Sequence, residues 1–527
     1  MANSDRIVSH ATDPLTLSSI RYSPFAIRHS PAIPVTLAFL LLYALTCAPG
    51  VLWQDSGMFQ FRVWHGDVAG IQGLPLAHPL YILLARAFCW LPLGPFAFRV
   101  NLFSGVCAAV ALGILADLLY SLTRSKWSAV CGAVLLGVSH TFWMHAVIAE
   151  VYSLYALALL GELWLVERFC LTRRRVWLFA ALFLNGLNLS NHLLAILHWP
   201  AYVGIIIWAV RARALTLRWL PLLPLIVLFG GLQYLALVAA KILAGRPIGS
   251  TLTEALVGPP ERAEVVLTHS FSLAEQLVKA VQYFTLNFPT PLVILAPIGF
   301  WAACRHAALR RMALFAGGIF LVGFVFAFRY RVPDQFVFYF PCYVTFALFA
   351  ALAIPSVARS RSLQVMCLIF ALLPAGVYEI APKLARDRGL ALGQNRHLPY
   401  RDPYSFFLRP RKNGDGGAER FAREALATAA PKGLLIGDAT ILNAIIYVRD
   451  VLGVCHGVAV GATADVRPAA PVVRRLRPET IGPFVWQGTA FSCTDAPAYL
   501  PPWFGQVYDL SPVGVVYRIV EKGAVRR

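Results

Sequence analysis

Asp55 stands in Trp53-Gln54-Asp55-Ser56-Gly57, directly after the first long apolar run of the chain. Partial burial at such a boundary raises a carboxylate's proton affinity and a nearby cation lowers it, so the position suits a general base. Further polar side chains recur at the ends of later apolar runs: His78 before Pro79, His145, Glu150 and Tyr152 in Ala149-Glu150-Val151-Tyr152, Asn191-His192, and Arg329, Arg331 and Asp334 in one short turn. The two arginines offer planar guanidinium forks that match phosphate oxygens. The histidines suit substrate binding or proton transfer. A carboxylate, an arginine clamp and an apolar approach fit transfer from a lipid phosphate to a polar acceptor.

Each residue also has a plainer reading. Asp55 suits helix capping, and Glu150 suits the positive end of a helix. His145 has no metal-ligand spacing around it and reads first as a packing residue. His78 marks a turn before a proline. Arg329 and Arg331 suit snorkelling to headgroups, and Trp53, Trp64, Trp143 and Trp199 suit an interfacial belt. A divalent metal is compatible with an acidic site, but no ligand cluster calls for one, and no cofactor motif is present. Gly414-Asp415-Gly416-Gly417 lacks the strand and spacing of a nucleotide loop.

The elements that must position these residues follow from composition. The 527 residues are 58% hydrophobic and 14% charged, which places the chain among polytopic membrane proteins. The net charge of +20 is scattered between apolar runs, so it reads as topology and not as a nucleic-acid surface. Stretches of bilayer-crossing length fall at about 33–50, 99–122, 127–147, 149–169, 176–190, 192–210, 218–243, 285–303, 312–328, 336–355 and 363–381, about eleven crossings. With residues 1–32 cytoplasmic, alternate turns carry Arg124 and Lys126, Arg168 with Arg173 to Arg175, Arg211 to Arg218, Arg305 to Arg311, and Arg359 and Arg361. This is the positive-inside pattern. The first run is expected to stay as a signal anchor.

The remaining turns then face outward, among them a first loop at 52–98 and a long loop at 244–284, and they hold nearly all the unusual polar residues. Ionisable groups at membrane depth mark functional sites by default. The membrane module is expected over 33–382, and 383–527 forms an extracytoplasmic tail. In that tail, helical spacing over 417–430 and a short apolar strand before Asp438 predict a small α/β domain.

The ordered set of motifs resembles a known group. Asp55-Ser56-Gly57, the Gly73-to-Tyr81 string around His78, Ala149 to Tyr155, Asn191-His192, Val332 to Phe336, Phe338 to Pro341 and Leu398 to Tyr404 look like the transmembrane O-mannosyltransferase-like group of GT-C glycosyltransferases. The resemblance implies a GT-C fold in a plasma membrane, of the bacterial inner type. It also implies a polyprenyl-phosphate-linked sugar donor, mannose or another hexose, and an extracytoplasmic protein or glycan acceptor. Asp55 becomes the catalytic base of an inverting transfer, and His78, Glu150, Tyr152, Asn191, His192, Arg329, Arg331 and Asp334 become substrate-binding residues. Relatives often place a second acid just after Asp-Ser-Gly. Here Met58 follows, and Asp67 is the next carboxylate. A transporter of lipid-linked sugars, or a non-catalytic envelope-assembly protein, is the alternative for the same composition.

Overall fold

The computed structural model describes residues 30–258, 272–390, 397–463 and 476–523. Arg6, Arg21 and Arg28 and the middle of the 244–284 segment lie outside the described residues. The chain runs through α1 (Ala32–Thr46), α2 (Gln54–His65), α3 (Pro79–Phe88), α4 (Phe96–Thr123), α5 (Lys126–Gly137), α6 (His140–Ala146), α7 (Tyr152–Thr172) and α8 (Arg175–Asn191). A 3-10 segment, Leu193–His198, leads into α9 (Trp199–Arg211), followed by α10 (Leu222–Gly230), α11 (Leu232–Leu243) and α12 (Ile248–Val257). The bundle closes with α13 (Leu273–Asn287), α14 (Leu295–Arg305), α15 (Arg310–Arg329), α16 (Gln335–Phe338), α17 (Phe340–Val357) and α18 (Arg361–Asp387).

Every stretch expected to cross the bilayer falls mainly on helical backbone. Among the described residues, five helices are long and apolar enough to cross by themselves, or up to seven if each of two bent pairs is one span. Of the others, α1 and α14 are apolar but shorter, and α7 holds Glu162, Glu167 and Arg168 in its lower half. The run at 218–243, expected as one continuous span, bends by 78° between α10 and α11. At that bend Gly230 lies against Gly186 of α8, so closely that a side chain on either would strike the other helix's backbone. Small residues allow such backbone contact in membrane bundles. A helix apolar all round belongs inside, and α17 is buried on nearly every face. Leu225, Leu321 and Ile369 on outer helices stay exposed, as lipid-facing residues do.

The C-terminal unit holds α19 (Pro403–Leu408), α20 (Gly417–Ala429), β1 (Leu434–Gly437), α21 (Ala439–Asp450), β2 (Ala459–Ala462), α22 (Pro478–Trp486), β3 (Ala490–Ser492), α23 (Phe504–Val507), β4 (Tyr508–Val513) and β5 (Val516–Glu521). The sheet order is β2-β1-β3-β5-β4, with β1 parallel to both neighbours and β5 antiparallel to β3 and β4. The fold class is thus the expected one, mainly helical with one small α/β unit. Its core reaches into the bundle: Val51, Trp53, Phe61 and Ala97 pack with Phe421, Leu442 and Ile445. The strap before α20 is tied down as well, with Arg411 forked on Glu379 at 2.6 and 3.0 Å and the Lys412 amide donating to the Thr46 carbonyl at 2.8 Å.

Candidate active site at the sheet-bearing end of the bundle

The turn between α1 and α2 is held by polar contacts hidden from water. Gln60 Oε1 accepts the Leu52 amide at 3.2 Å, and its Nε2 donates to the Gly50 carbonyl at 3.2 Å and to Asn101 Oδ1 at 2.8 Å. Asn101 Nδ2 donates in turn to the carbonyls of Ala48 and Gly50. Both side chains are fully buried, where an unmade hydrogen bond would be costly. Trp53, in extended backbone, is the N-cap of α2, so Asp55 occupies the first turn and is not the capping residue. There it faces the positive end of the helix and is exposed.

Gln54 adopts the left-handed region at φ 59, a conformation that costs a non-glycine residue about 1–2 kcal/mol. Asn443 of α21 donates to the Gln54 carbonyl at 3.0 Å and so helps hold it there. A Cβ on Gly57 would lie 2.5 Å from the Leu52 carbonyl oxygen and 3.3 Å from Asn443 Cβ. The glycine of Asp-Ser-Gly is therefore a packing requirement that lets α2 sit against both the turn and α21.

The other sequence-derived residues arrive from three separate connections. Asp55 and Asp334 both lie within electrostatic reach of Glu150, and all three carboxylates, with Tyr330, act on Tyr152. Asp334 is the N-cap of α16, and Arg329 closes α15. Arg329, Arg331 and Asp334 are exposed on this rim, and Arg331 also lies within reach of Glu275 on α13. Gln335 anchors the turn, its Nε2 donating to Gln276 Oε1 at 2.9 Å and to the Ala327 carbonyl at 2.8 Å.

His78, Asn191 and His192 form the adjoining wall. His78 holds a left-handed N-cap position before Pro79, and its Nδ1 lies 2.6 Å from the Asn191 carbonyl. That bond requires the proton on Nδ1 and gives Nε2 the lone pair. His192 Nδ1 accepts the Leu194 amide at 3.1 Å, which places the proton of a neutral ring on Nε2. The rings of His78 and His192 lie 5.3 Å apart, and Tyr152 lies 5.2 Å from His192. In these tautomers Nε2 of His78 is an acceptor and Nε2 of His192 is a donor. Asn191 Nδ2 donates to the Val151 carbonyl at 3.2 Å, joining α8 to the start of α7.

His145 packs instead: Nδ1 bonds the Thr141 carbonyl at 2.7 Å, and the ring stands edge-on to Tyr152 at 5.0 Å. Asp67 lies beyond the far end of α2, whose last residue is about 15 Å along the helix axis from Asp55. It caps the Gly70 amide at 2.9 Å and stands 3.8 Å from Arg62. Arg62, Gln60, Asn101 and Asn443 shape the site but give no local signal in the sequence, because none of their contacts follows a helical or strand period and those of Asn101 and Asn443 reach far along the chain. Among the described residues, no group of three or more His, Cys, Asp or Glu is placed to hold a metal ion.

The profile of the Protein O-mannosyl-transferase TMEM260 N-terminal domain matches residues 73–216, the stretch that holds His78, Glu150, Tyr152, Asn191 and His192. The mouse (Mus musculus) Protein O-mannosyl-transferase TMEM260 is 32% identical over 130 residues, covering 24% of this chain and 18% of that protein. Among solved structures, ArnT from Cupriavidus metallidurans bound to undecaprenyl phosphate aligns with a TM-score of 0.55 at 14% identity, covering 92% of this chain and 97% of the other. The apo state of ArnT gives 0.56 at 13% identity, covering 93% and 96%. At these identities the likeness to ArnT establishes the fold. The chain is thus a membrane protein of the GT-C fold, similar over residues 73–216 to the N-terminal domain of the O-mannosyl-transferase TMEM260.

Proposed function

We propose that this protein is a membrane glycosyltransferase that moves a hexose from a polyprenyl-phosphate carrier to a hydroxyl of an extracytoplasmic protein or glycan. The observation that carries the reading is the gathering of Asp55, Glu150, Tyr152 and Asp334 at one end of a GT-C bundle, with Arg329 and Arg331 on the same rim. The similarity to an O-mannosyl-transferase and to a fold neighbour bound to undecaprenyl phosphate supports the donor class. The basic turns from Arg124 to Arg361 join the opposite helix ends, which supports an outward-facing site.

In this reading Asp55 takes the proton of the acceptor hydroxyl as its oxygen attacks the anomeric carbon. The bond from that carbon to the phosphate oxygen breaks, and the phosphate leaves with the electron pair. The single displacement inverts the anomeric centre. Arg329 and Arg331 meet the charge that develops on the phosphate. His78 and His192 grip sugar hydroxyls, and Glu150 and Asp334 orient the acceptor.

Cells lacking the gene and complemented with wild type or Asp55→Asn supply the test, by mass spectrometry of surface glycoproteins and glycans. A general base contributes about 10²- to 10⁴-fold, so Asp55→Asn at equal expression should leave the acceptor without its hexose. An acceptor fully modified by Asp55→Asn would sink the assignment. Lipid-linked sugar crossing vesicles of the purified protein without any transfer would favour a transporter.

A further inference from the structure

The 3-10 segment that carries His192 at its upper end is held at its lower end by a wholly buried polar cluster. Glu162 of α7 and His198, the last residue of the segment, have no exposed surface. Glu162 Oε2 accepts from His198 Nδ1 at 2.9 Å, from Asn185 Nδ2 at 3.1 Å and from the Tyr202 hydroxyl at 3.1 Å. Its Oε1 lies 3.4 Å from Asn188 Nδ2. One carboxylate thus joins α7, α8, the 3-10 segment and α9.

Two paths lead from Glu162 back to the candidate site. The second N–H of Asn185 donates to the carbonyl of Ala195 at 3.1 Å, in the middle of the 3-10 segment, so Glu162 aims the amide that holds that segment. On the other side, the proton on His198 Nδ1 leaves Nε2 to accept the Tyr155 hydroxyl at 2.7 Å. The Tyr155 ring stands 6.2 Å from His192 and 6.3 Å from Phe340. Carboxylate, imidazole and phenol therefore form a chain whose outer end backs His192.

A buried carboxylate is a poor way to hold a bundle together, since well-packed apolar residues of similar volume often do it as well or better. Its distinctive capacity is direction: several donors on different elements are aimed by a single group. A 3-10 helix has weak hydrogen-bond geometry of its own and is uncommon beyond three or four residues. This one spans six residues and takes its shape from outside.

We propose that Glu162 and His198 are positioning residues for the candidate site, fixing the 3-10 segment so that Tyr155 and Ala195 hold His192 opposite Tyr152 and His78. The role assigned to His192 rests on the transferase reading above, whereas the control of the segment's geometry does not. Hydrogen–deuterium exchange of the full-length protein in detergent, comparing wild type with Glu162→Leu and Glu162→Gln, tests the geometry. In Glu162→Leu, exchange over residues 192–198 should rise about tenfold or more while α17 keeps its protection, and Glu162→Gln, which retains an acceptor for His198, should show a smaller rise.

Transfer to the acceptor identified by mass spectrometry tests the consequence. Turnover should fall about a hundredfold in Glu162→Leu, as a small displacement of a positioned group does, and should largely recover in Glu162→Gln. Wild-type exchange over 192–198 in Glu162→Leu, or protection lost equally throughout the bundle, would overturn the proposal. So would altered exchange with unchanged turnover in an active enzyme. A wild type without transfer activity would refute the proposed function, and the exchange comparison would still decide the positioning role.

Discussion

Replacement of Arg62 should open one wall of the candidate site while leaving the bundle folded. Arg62 is 2% exposed, and its Nε donates to the Asp67 carbonyl at 3.1 Å, Nη1 to the Leu76 carbonyl at 3.2 Å and Nη2 to the Ala77 carbonyl at 2.6 Å. One guanidinium thus clamps both ends of the segment that leads into His78. Gly66, Gly70 and Gly73 all have positive φ there, so little in the backbone holds the segment by itself. Burial pulls the guanidinium down to about 10, with Asp67 opposing, and it remains charged at neutral pH. Hydrogen bonds from a charged donor are each worth about 1.5–3 kcal/mol. Loss of three, partly offset by water reaching the outer carbonyl, gives a local cost of about 3–5 kcal/mol in Arg62→Leu. Exchange over residues 66–78 should then rise by about two orders of magnitude or more, with α4 and α17 unchanged. Arg62→Lys should behave nearly as badly, because one ammonium cannot span carbonyls that three separate nitrogens reach. Wild-type exchange over 66–78 in Arg62→Lys would refute this account of the clamp.

Three further outcomes are expected. Gly57→Ala forces α2 away from the Leu52 carbonyl and α21, and a cost of about 1–3 kcal/mol should appear as a lower melting temperature together with reduced transfer. Asn443→Ala removes the donor to the strained Gln54 carbonyl, and transfer should fall more than stability does when the two are measured side by side. Burial, with Arg401 and Arg409 adding to it and Asp415 opposing, brings the Lys412 ammonium down to about 8. The unfolded chain then binds more protons between about pH 8 and its ordinary value near 10.4, so stability rises with pH across that window by about 3 kcal/mol. Lys412→Met lacks this dependence. The melting temperature of wild type relative to Lys412→Met should therefore climb from pH 8 to 10, and a constant difference would contradict the burial argument.

The helical membrane module could be read from apolar runs because a bilayer-crossing length is a property of contiguous sequence. Direction was not legible in the same way: the run at 218–243 bends at Gly230-Gly231, where a backbone contact with Gly186 across the bundle decides the path. In the tail, the apolar four residues Leu434–Gly437 before Asp438 and the helical spacing from Gly417 appear as β1 and α20. At the site, the placing of Asp55, Glu150, Tyr152 and Asp334 at corresponding span ends anticipated their proximity. Gln60 and Asn101, 41 residues apart, and Glu162 and His198, 36 apart, left no such trace. A hydrogen bond between distant residues has no local period. Asp67, the next carboxylate after Asp55, is engaged by Arg62 and Gly70.

The contact between α2 and α21 sets an order in time. Asn443, which binds the residue before Asp55, leaves the ribosome 389 positions after that residue, Gln54. Val51, Trp53 and Phe61 around it likewise belong to a core that Phe421, Leu442 and Ile445 help to complete. Contacts of such sequence separation form late, after the loop between them has been closed. The bundle can therefore enter the membrane with its carboxylate still unplaced, and the site acquires its shape only when α20 and α21 have been made and have docked.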